Sequence, residues 1–299
     1  MENRLFSDDE VYNAALLDFL EPAEYYQQKS NELYPIFSDS PLLEFMGLNI
    51  YKCGSYLEMG RNDDGRAVVL RSNYCRSRFC PTCQWRRSRM LYGKLSALWD
   101  SLKENGFDFL HVVLTVKNCS GVDLPKTIDK MQGAYRRMLH DNRLRAWAGA
   151  MRFCEVSYSN TRLDFHPHFH SLVVVRKSYY HSRYYVSVEQ LRTIWREYLG
   201  VNYLPQVYIS RADDHAINEV AKYCVKPFDI QFNSDQEERK TYEILYQALH
   251  GRRMYQAFGA VRAARADLAA DPVEEVEQSA VLARISYDYR AGHYTRCTT

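Results

Sequence analysis

The stretch His166-Pro167-His168-Phe169-His170, continued by the apolar run Ser171 to Val175, decides the fold of this 299-residue chain. In an extended strand successive side chains point to opposite faces. His166, His168 and His170 therefore share one face, while Phe169 and the neighbouring aliphatics share the other. Alternate positions lie about 6.6–6.8 Å apart, close enough for two imidazoles to converge on one divalent ion. Three of the chain's nine histidines fall in these five positions, and neutral imidazole is the commonest metal-ligating side chain. One face of the strand is read as chemical and the other as packing.

Working outward, Met151 to Tyr158 forms a second strand, separated from the first by a short polar connection. Pairing the two as a hairpin sets Glu155 opposite His170. Glu155 then competes with His166 to be the third ligand beside His168 and His170. A mixed nitrogen and oxygen set suits Mn²⁺, and it accepts Mg²⁺ when water and phosphate oxygens fill the remaining positions.

Further out, Phe107 to Lys117 alternates as a central strand, and Leu124 to Leu144 carries Ile128, Met131, Tyr135, Met138 and Leu139 at helical spacing. Val188 to Leu199 is a helix with Ser187 as N-cap, Pro205 to Ser210 a strand, and Asp214 to Val225 a helix that Pro227 stops. Strand, helix, strand, strand, helix, strand and helix make an α+β fold. It is a split βαβ arrangement with a mainly antiparallel sheet and flanking helices. Upstream, Trp85 to Leu102 is a helix, and residues 1–50 read as short amphipathic helices interrupted by Pro22, Pro35 and Pro41. The loop holding Tyr179, Tyr180, His181, Arg183, Tyr184 and Tyr185 is either a stacking surface or a packed turn.

Four of the eight cysteines, Cys53, Cys75, Cys80 and Cys83, have metal-like spacing. Cys80-Pro81-Thr82-Cys83 is a CxxC knuckle able to hold one side of a tetrahedral zinc, with Cys75 and Cys53 on the other. A redox CxxC starts a helix after a buried strand, whereas this one lies among arginines with a further cysteine five residues upstream. A closed four-cysteine site leaves no position for substrate, so its role is folding. With no signal peptide at Met1 to Asp9 and no apolar stretch of membrane-spanning length, thiolate ligation in a cytoplasmic protein is expected rather than disulfides.

The formal net charge of +2 conceals an asymmetry: residues 1–50 hold ten acidic and two basic residues, so the rest of the chain carries a positive excess. A basic body suits a polyanionic partner. Arg76, Arg78, Arg86 and Arg87 alternate with Tyr74, Phe79 and Trp85. Phosphate contact by these arginines and base stacking on Trp85 are expected, against the plainer reading of a solvated basic face. On the last helix, Glu219 and Tyr223 share a face at i and i+4, with Lys222 and Lys226 in an adjacent row.

Together Cys75-x4-Cys80-x2-Cys83, Val113-Leu114-Thr115-Val116, His166-Pro167-His168-Phe169-His170 and Glu219-x3-Tyr223-x2-Lys226 resemble the HUH endonucleases, and within them the plasmid rolling-circle replication initiators of the Rep_1 type. The resemblance covers roughly residues 50–260. It implies that His168 and His170 are the metal pair, that Tyr223 is the nucleophile, and that Glu219 activates water in the terminating step. Gly251-Arg252-Arg253 is similar to the basic segment near the end of that family's domain. The strand run at Val113 is a looser match to the family's threonine-rich pattern, and residues 1–50 and those after Ala260 carry no matching motif.

The reading divides the chain into an acidic helical segment (1–50), a zinc module with its helix (51–104), an HUH endonuclease domain (105–260) and a tail (261–299). Its expected partners are single-stranded or extruded plasmid origin DNA, a host helicase and DNA polymerase, and a second copy of the chain, with no membrane. A single-tyrosine HUH transposase shares the nick without the replication role. A non-catalytic zinc-dependent DNA-binding regulator predicts binding without cleavage.

Overall fold

The structure, a computed structural model, describes residues 10–62, 67–213, 232, 234–263 and 281–297. It is α+β, with two antiparallel sheets and flanking helices, and divides into two compact units: residues 1–86 with 270–299, and residues 87–269. No helix among the described residues is long and apolar enough to cross a membrane.

In the first unit, helices α1 (Glu10–Ser38) and α2 (Glu44–Tyr51) accompany a four-stranded sheet. Its strands are β1 (Tyr56–Arg61), β2 (Ala67–Ser72), β8 (Ala283–Asp288) and β9 (His293–Arg296), in the order β2-β1-β8-β9. Residues 281–297 thus supply half of this sheet. α1 is one helix with Pro22 and Pro35 inside it rather than several short ones. The apolar face of Leu16, Leu20 and Ala23 packs against Leu57, Met59, Ile285 and Tyr294, and that burial outweighs the backbone hydrogen bond each proline removes.

Helix α3 (Pro81–Glu104) begins in the first unit and continues into the second. There the strands are β3 (Phe107–Thr115), β4 (Gly149–Ser159), β5 (Asp164–Arg176), β6 (Val207–Arg211) and β7 (Tyr255–Phe258). Their order is β6-β3-β5-β4-β7, so the histidine strand β5 is central. Helices α4 (Leu124–Met138) and α5 (Val188–Leu199) cover one face. Tyr135 and Trp195 meet Phe169 at ring-centroid distances of 5.8 and 6.3 Å. The Tyr135 hydroxyl hydrogen-bonds Ser171 Oγ at 3.0 Å, and Trp195 Nε1 donates to the Thr115 carbonyl at 2.8 Å. Both polar tips of these buried rings are satisfied, so their burial carries little desolvation cost.

α5 follows from its sequence in detail: Ser187 and Gln190 form a capping box, and Gly200 ends the helix at φ +62°, where only glycine is unstrained. On the opposite face, Leu95, Trp99 and Leu102 of α3 pack on Phe109, Met151, Phe153, Leu172 and Val174, with Trp99 stacked on Phe109 at 3.9 Å. Moving along the strands on that same face, past this apolar patch, the next side chains are His170, His168 and Glu155. Two short helices complete the described part of the unit, α6 (Asp235–Leu249) and α7 (Gly259–Ala263).

Candidate metal centres and active site

The β4–β5 hairpin turns through Asn160 to Leu163, and the Leu163 N–H closes the turn on the Ser159 carbonyl at 2.7 Å. Ser159 therefore pairs with Asp164, and the register carries Glu155 opposite His168, not opposite His170 as expected; His170 faces Phe153. The connection is shorter than expected, because β4 runs on to Ser159 and β5 starts at Asp164. The displacement is an even number of residues, so every side chain keeps its face. Glu155 reaches both histidines: its Oε2 lies 2.7 Å from His168 Nε2 and 3.0 Å from His170 Nε2.

One ligand atom from each of Glu155, His168 and His170 lies within 4.8 Å of the other two. His166 is on the same face, its ring centroid 5.4 Å from that of His168, but it does not join this group. The donor chemistry suits a divalent cation. His168 Nδ1 is 3.0 Å from the His166 carbonyl, and His170 Nδ1 is 3.4 Å from His111 Nε2. With each Nδ1–H directed at its acceptor, both rings offer an Nε2 lone pair to the same point. Burial pushes the Glu155 carboxyl up, but the hydrogen bonds from His168 and His170 outweigh it and hold the group down at about 2. Burial lowers His168 while the bond to Glu155 raises it, and the raising effect prevails. In this state protons do the work of a cation between the three groups, and a cation binding there displaces them.

His111 is the residue that sequence reasoning passed over. It lies on β3, on the face of Val113 and Thr115, which pair with His170 and His168. Its ring stacks on His170 with centroids 5.6 Å apart and 19° between planes. The alternation of β3 exposes the signal only once β3 is registered against β5. That pairing joins residues some sixty positions apart and has no local mark in the sequence.

The four cysteines of the first unit are brought together. One Sγ from each lies within 4.8 Å of the others, with Cys83 Sγ 3.4 Å from Cys53 Sγ and 3.7 Å from Cys75 Sγ. Zinc–sulfur bonds of about 2.3 Å in a tetrahedron separate sulfurs by about 3.8 Å, so the cluster could hold zinc. Backbone N–H groups of Cys75, Arg76 and Cys83 point at Cys53, Cys83 and Cys80 sulfurs at 3.2–3.4 Å. Arg76 adopts φ 59° to aim its N–H this way. The Cys53, Cys75 and Cys80 thiols, with the Arg76 N–H, hold the Cys83 thiol far below its ordinary value.

Of the residues expected to contact DNA, Trp85 is corrected. It is 9% exposed, stacked on Tyr26 at 5.6 Å and packed against Phe19, so its ring has no face left for a base. A lone tryptophan among arginines looks like a platform in sequence, yet here it anchors α1 to α3's first turns. Arg86 lies 4.6 Å over the Tyr74 ring, Arg76 is exposed, and Arg78 and Arg87 are half-buried. Arg252 forms a two-pronged pair with Asp129 at 2.7 and 2.6 Å. Glu219, Lys222, Tyr223 and Lys226 lie outside the described residues.

The sequence profile of one family, Rep_1, described as "Replication protein", matches residues 66–294. A "Protein rep" of Streptococcus pneumoniae is 31% identical over 228 residues, covering 73% of this chain and 71% of that protein. A "Protein rep" of Staphylococcus aureus is 30% identical over 171 residues, covering 55% and 75%, and one from a Bacillus species 24% identical over 257 residues, covering 78% and 82%. No solved structure matches the chain.

Proposed function

Since the chain belongs to the Rep_1 family of replication proteins, we propose that it initiates rolling-circle replication of a plasmid by nicking single-stranded or extruded origin DNA. The observation that carries this reading is the convergence of Glu155 Oε2, His168 Nε2 and His170 Nε2 on one point of a β-sheet face. A phosphodiester resists nucleophiles because its oxygens are negative. Glu155, His168 and His170 would hold a Mn²⁺ or Mg²⁺ ion there, which would supply Lewis-acid polarisation of the phosphate.

Tyr223 is the nucleophile. Its phenolic oxygen bonds to the scissile phosphorus, and the 3′ oxygen leaves and takes up a proton, which gives a 5′-phosphotyrosyl enzyme and a free 3′-hydroxyl. An ordinary tyrosine titrates near about 10, so Lys222 and Lys226 serve to stabilise the developing phenolate. The phosphotyrosyl bond conserves the energy of the broken ester for strand transfer, and the 3′-hydroxyl primes a polymerase. Glu219 takes a proton from water to release the enzyme when the round ends. The four cysteines hold a structural Zn²⁺, and plasmid origin DNA, a host helicase and DNA polymerase are the partners of this cytoplasmic cycle.

The Glu219→Ala variant tests the sequence of steps. Incubated with Mn²⁺ and a single-stranded oligonucleotide carrying the plasmid's nick site, it forms the covalent adduct at a rate within about 3-fold of wild type. Hydrolytic release, by contrast, falls by about 10²-fold, in the range of a lost general base. Adduct and free strand are separated on a denaturing gel. Equal loss of the first cleavage removes Glu219 from the terminating role.

A further inference from the structure

The tyrosine-rich loop after β5 resolves into two parts. Tyr179 is buried against Tyr180 and Tyr185, whereas Tyr184 lines a cleft of about 590 Å³ together with Asn142, Arg145, Arg183, Gln190 and Thr193. The guanidinium of Arg145 lies 4.2 Å from the Tyr184 ring centroid and that of Arg183 4.9 Å. Arg183 also donates to the Tyr184 hydroxyl at 2.6 Å. We propose that this cleft binds the phosphodiester backbone of DNA, with Arg145 and Arg183 each taking one phosphate.

Arg143 supplies the contrast. It shares the cleft wall, but its charge is met by Asp141 at 2.6 Å and Glu197 at 2.7 Å, and those carboxylates hold it well above the ordinary arginine value. Neither Arg145 nor Arg183 has a carboxylate at ion-pair distance among the described residues. Both are exposed at their edges while a ring holds their planes. Stacking of this kind fixes the side chain through its plane and, apart from the one Arg183 bond to the Tyr184 hydroxyl, leaves N–H groups for a two-pronged acceptor such as a phosphate. The amides of Asn142 and Gln190 and the hydroxyl of Thr193 add neutral donors. Glu189 also faces the cleft, with its carboxylate accepting from the Ser187 hydroxyl at 2.8 Å. Two cations held on one ring, with a carboxylate in the same wall, suit the singly charged phosphates of a strand better than one small, multiply charged anion.

The cleft lies at the start of α5, beside the segment after α4, and none of Glu155, His168 and His170 lines it. It therefore adds affinity and register at a distance from the scissile phosphate. This inference rests on the DNA-processing reading above, and the test keeps the two apart. Fluorescence anisotropy of a 30-nucleotide single strand, and of its duplex, is measured against the full-length protein over a salt series. Each neutralised phosphate contributes about 0.7 (single strand) or about 0.9 (duplex) to the slope of log affinity against log salt. Arg145→Ala/Arg183→Ala is expected to reduce that slope by about 1.4 for a single strand or about 1.8 for a duplex, and the form showing the drop is the occupant. Arg145→Lys/Arg183→Lys is expected to keep the slope and to lose several-fold in affinity, because charge remains and the fork does not. Mn²⁺ affinity and thermal midpoint, as measures of folding, stay at wild-type values in both variants. An alanine variant with an unchanged slope on both DNA forms overturns the cleft. A wild-type protein that binds neither form overturns the DNA reading itself.

Discussion

Replacement of His168 and His170 together by alanine is expected to abolish Mn²⁺ binding to the second unit and to lower nicking of single-stranded DNA by at least about 10³-fold. That factor corresponds to about 4 kcal/mol of barrier, the scale of a metal ion polarising a phosphoryl oxygen. The loss is chemical rather than structural. Both rings face outward from the apolar patch under α3, at 14% and 7% side-chain exposure, and the core side of β5 is held by Phe169, Tyr135 and Trp195. Glu155→Gln keeps a neutral oxygen ligand and falls between wild type and the double variant. His111→Ala removes the partner of His170 Nδ1 and the ring stacked on His170 while leaving all three ligands in place, so its Mn²⁺ affinity drops by about 10-fold, at the lower end of what partners behind a ligand contribute. Calorimetric titration with Mn²⁺ and an initial-rate assay on one set of proteins rank the series. A double variant that binds Mn²⁺ as wild type does contradicts the site.

Removal of metal from the cysteine cluster is expected to have the largest effect on stability. Structural zinc contributes about 10–16 kcal/mol of binding free energy to small domains, comparable to or larger than the total stability of a typical domain. In this chain the four sulfurs tie the α2–β1 connection, the segment after β2 and the first turn of α3 to one point. Cys53, Cys80 and Cys83 are all buried, at 0%, 0% and 5% exposure. Cys83→Ser, or prolonged chelation, is therefore expected to open the first unit while β3 to β7 stay folded. Hydrogen exchange on the full chain reads this directly: amides of β1, β2, β8 and β9 exchange early and those of β5 remain protected. Release of one zinc per chain on mercurial titration identifies the metal. Unchanged protection of β1 after complete removal of metal contradicts a structural role.

Local chemistry made the second unit legible. His-x-His alternation, the Ser187 cap with Gln190 and Gly200, and the amphipathic spacing of α4 each act within a few residues, and each is realised in the structure. The hairpin register differs by two residues from the expected one because both strands extend to Ser159 and Asp164, leaving a turn at Asn160–Leu163 shorter than the polar connection suggests. Period-two alternation still kept Glu155 on the correct face. What sequence concealed depends on distant pairing. β8 alternates buried Ala283, Ile285 and Tyr287 with Arg284, Ser286 and Asp288, a readable strand pattern, but nothing local states that its partner is β1, more than two hundred residues earlier. Similarly, Trp85 and His111 acquire their roles, core anchor and tautomer-fixing acceptor, only from neighbours supplied by other elements.

Tyrosine attack on DNA assisted by the Glu155, His168 and His170 site leaves a covalent mark that mass spectrometry reads in peptides from the protein–DNA adduct formed with Mn²⁺ on a single-stranded origin oligonucleotide. One nucleotide-bearing peptide is expected, modified at Tyr223, absent after chelation and absent in Tyr223→Phe. An adduct on another residue, or one that persists in Tyr223→Phe, contradicts it.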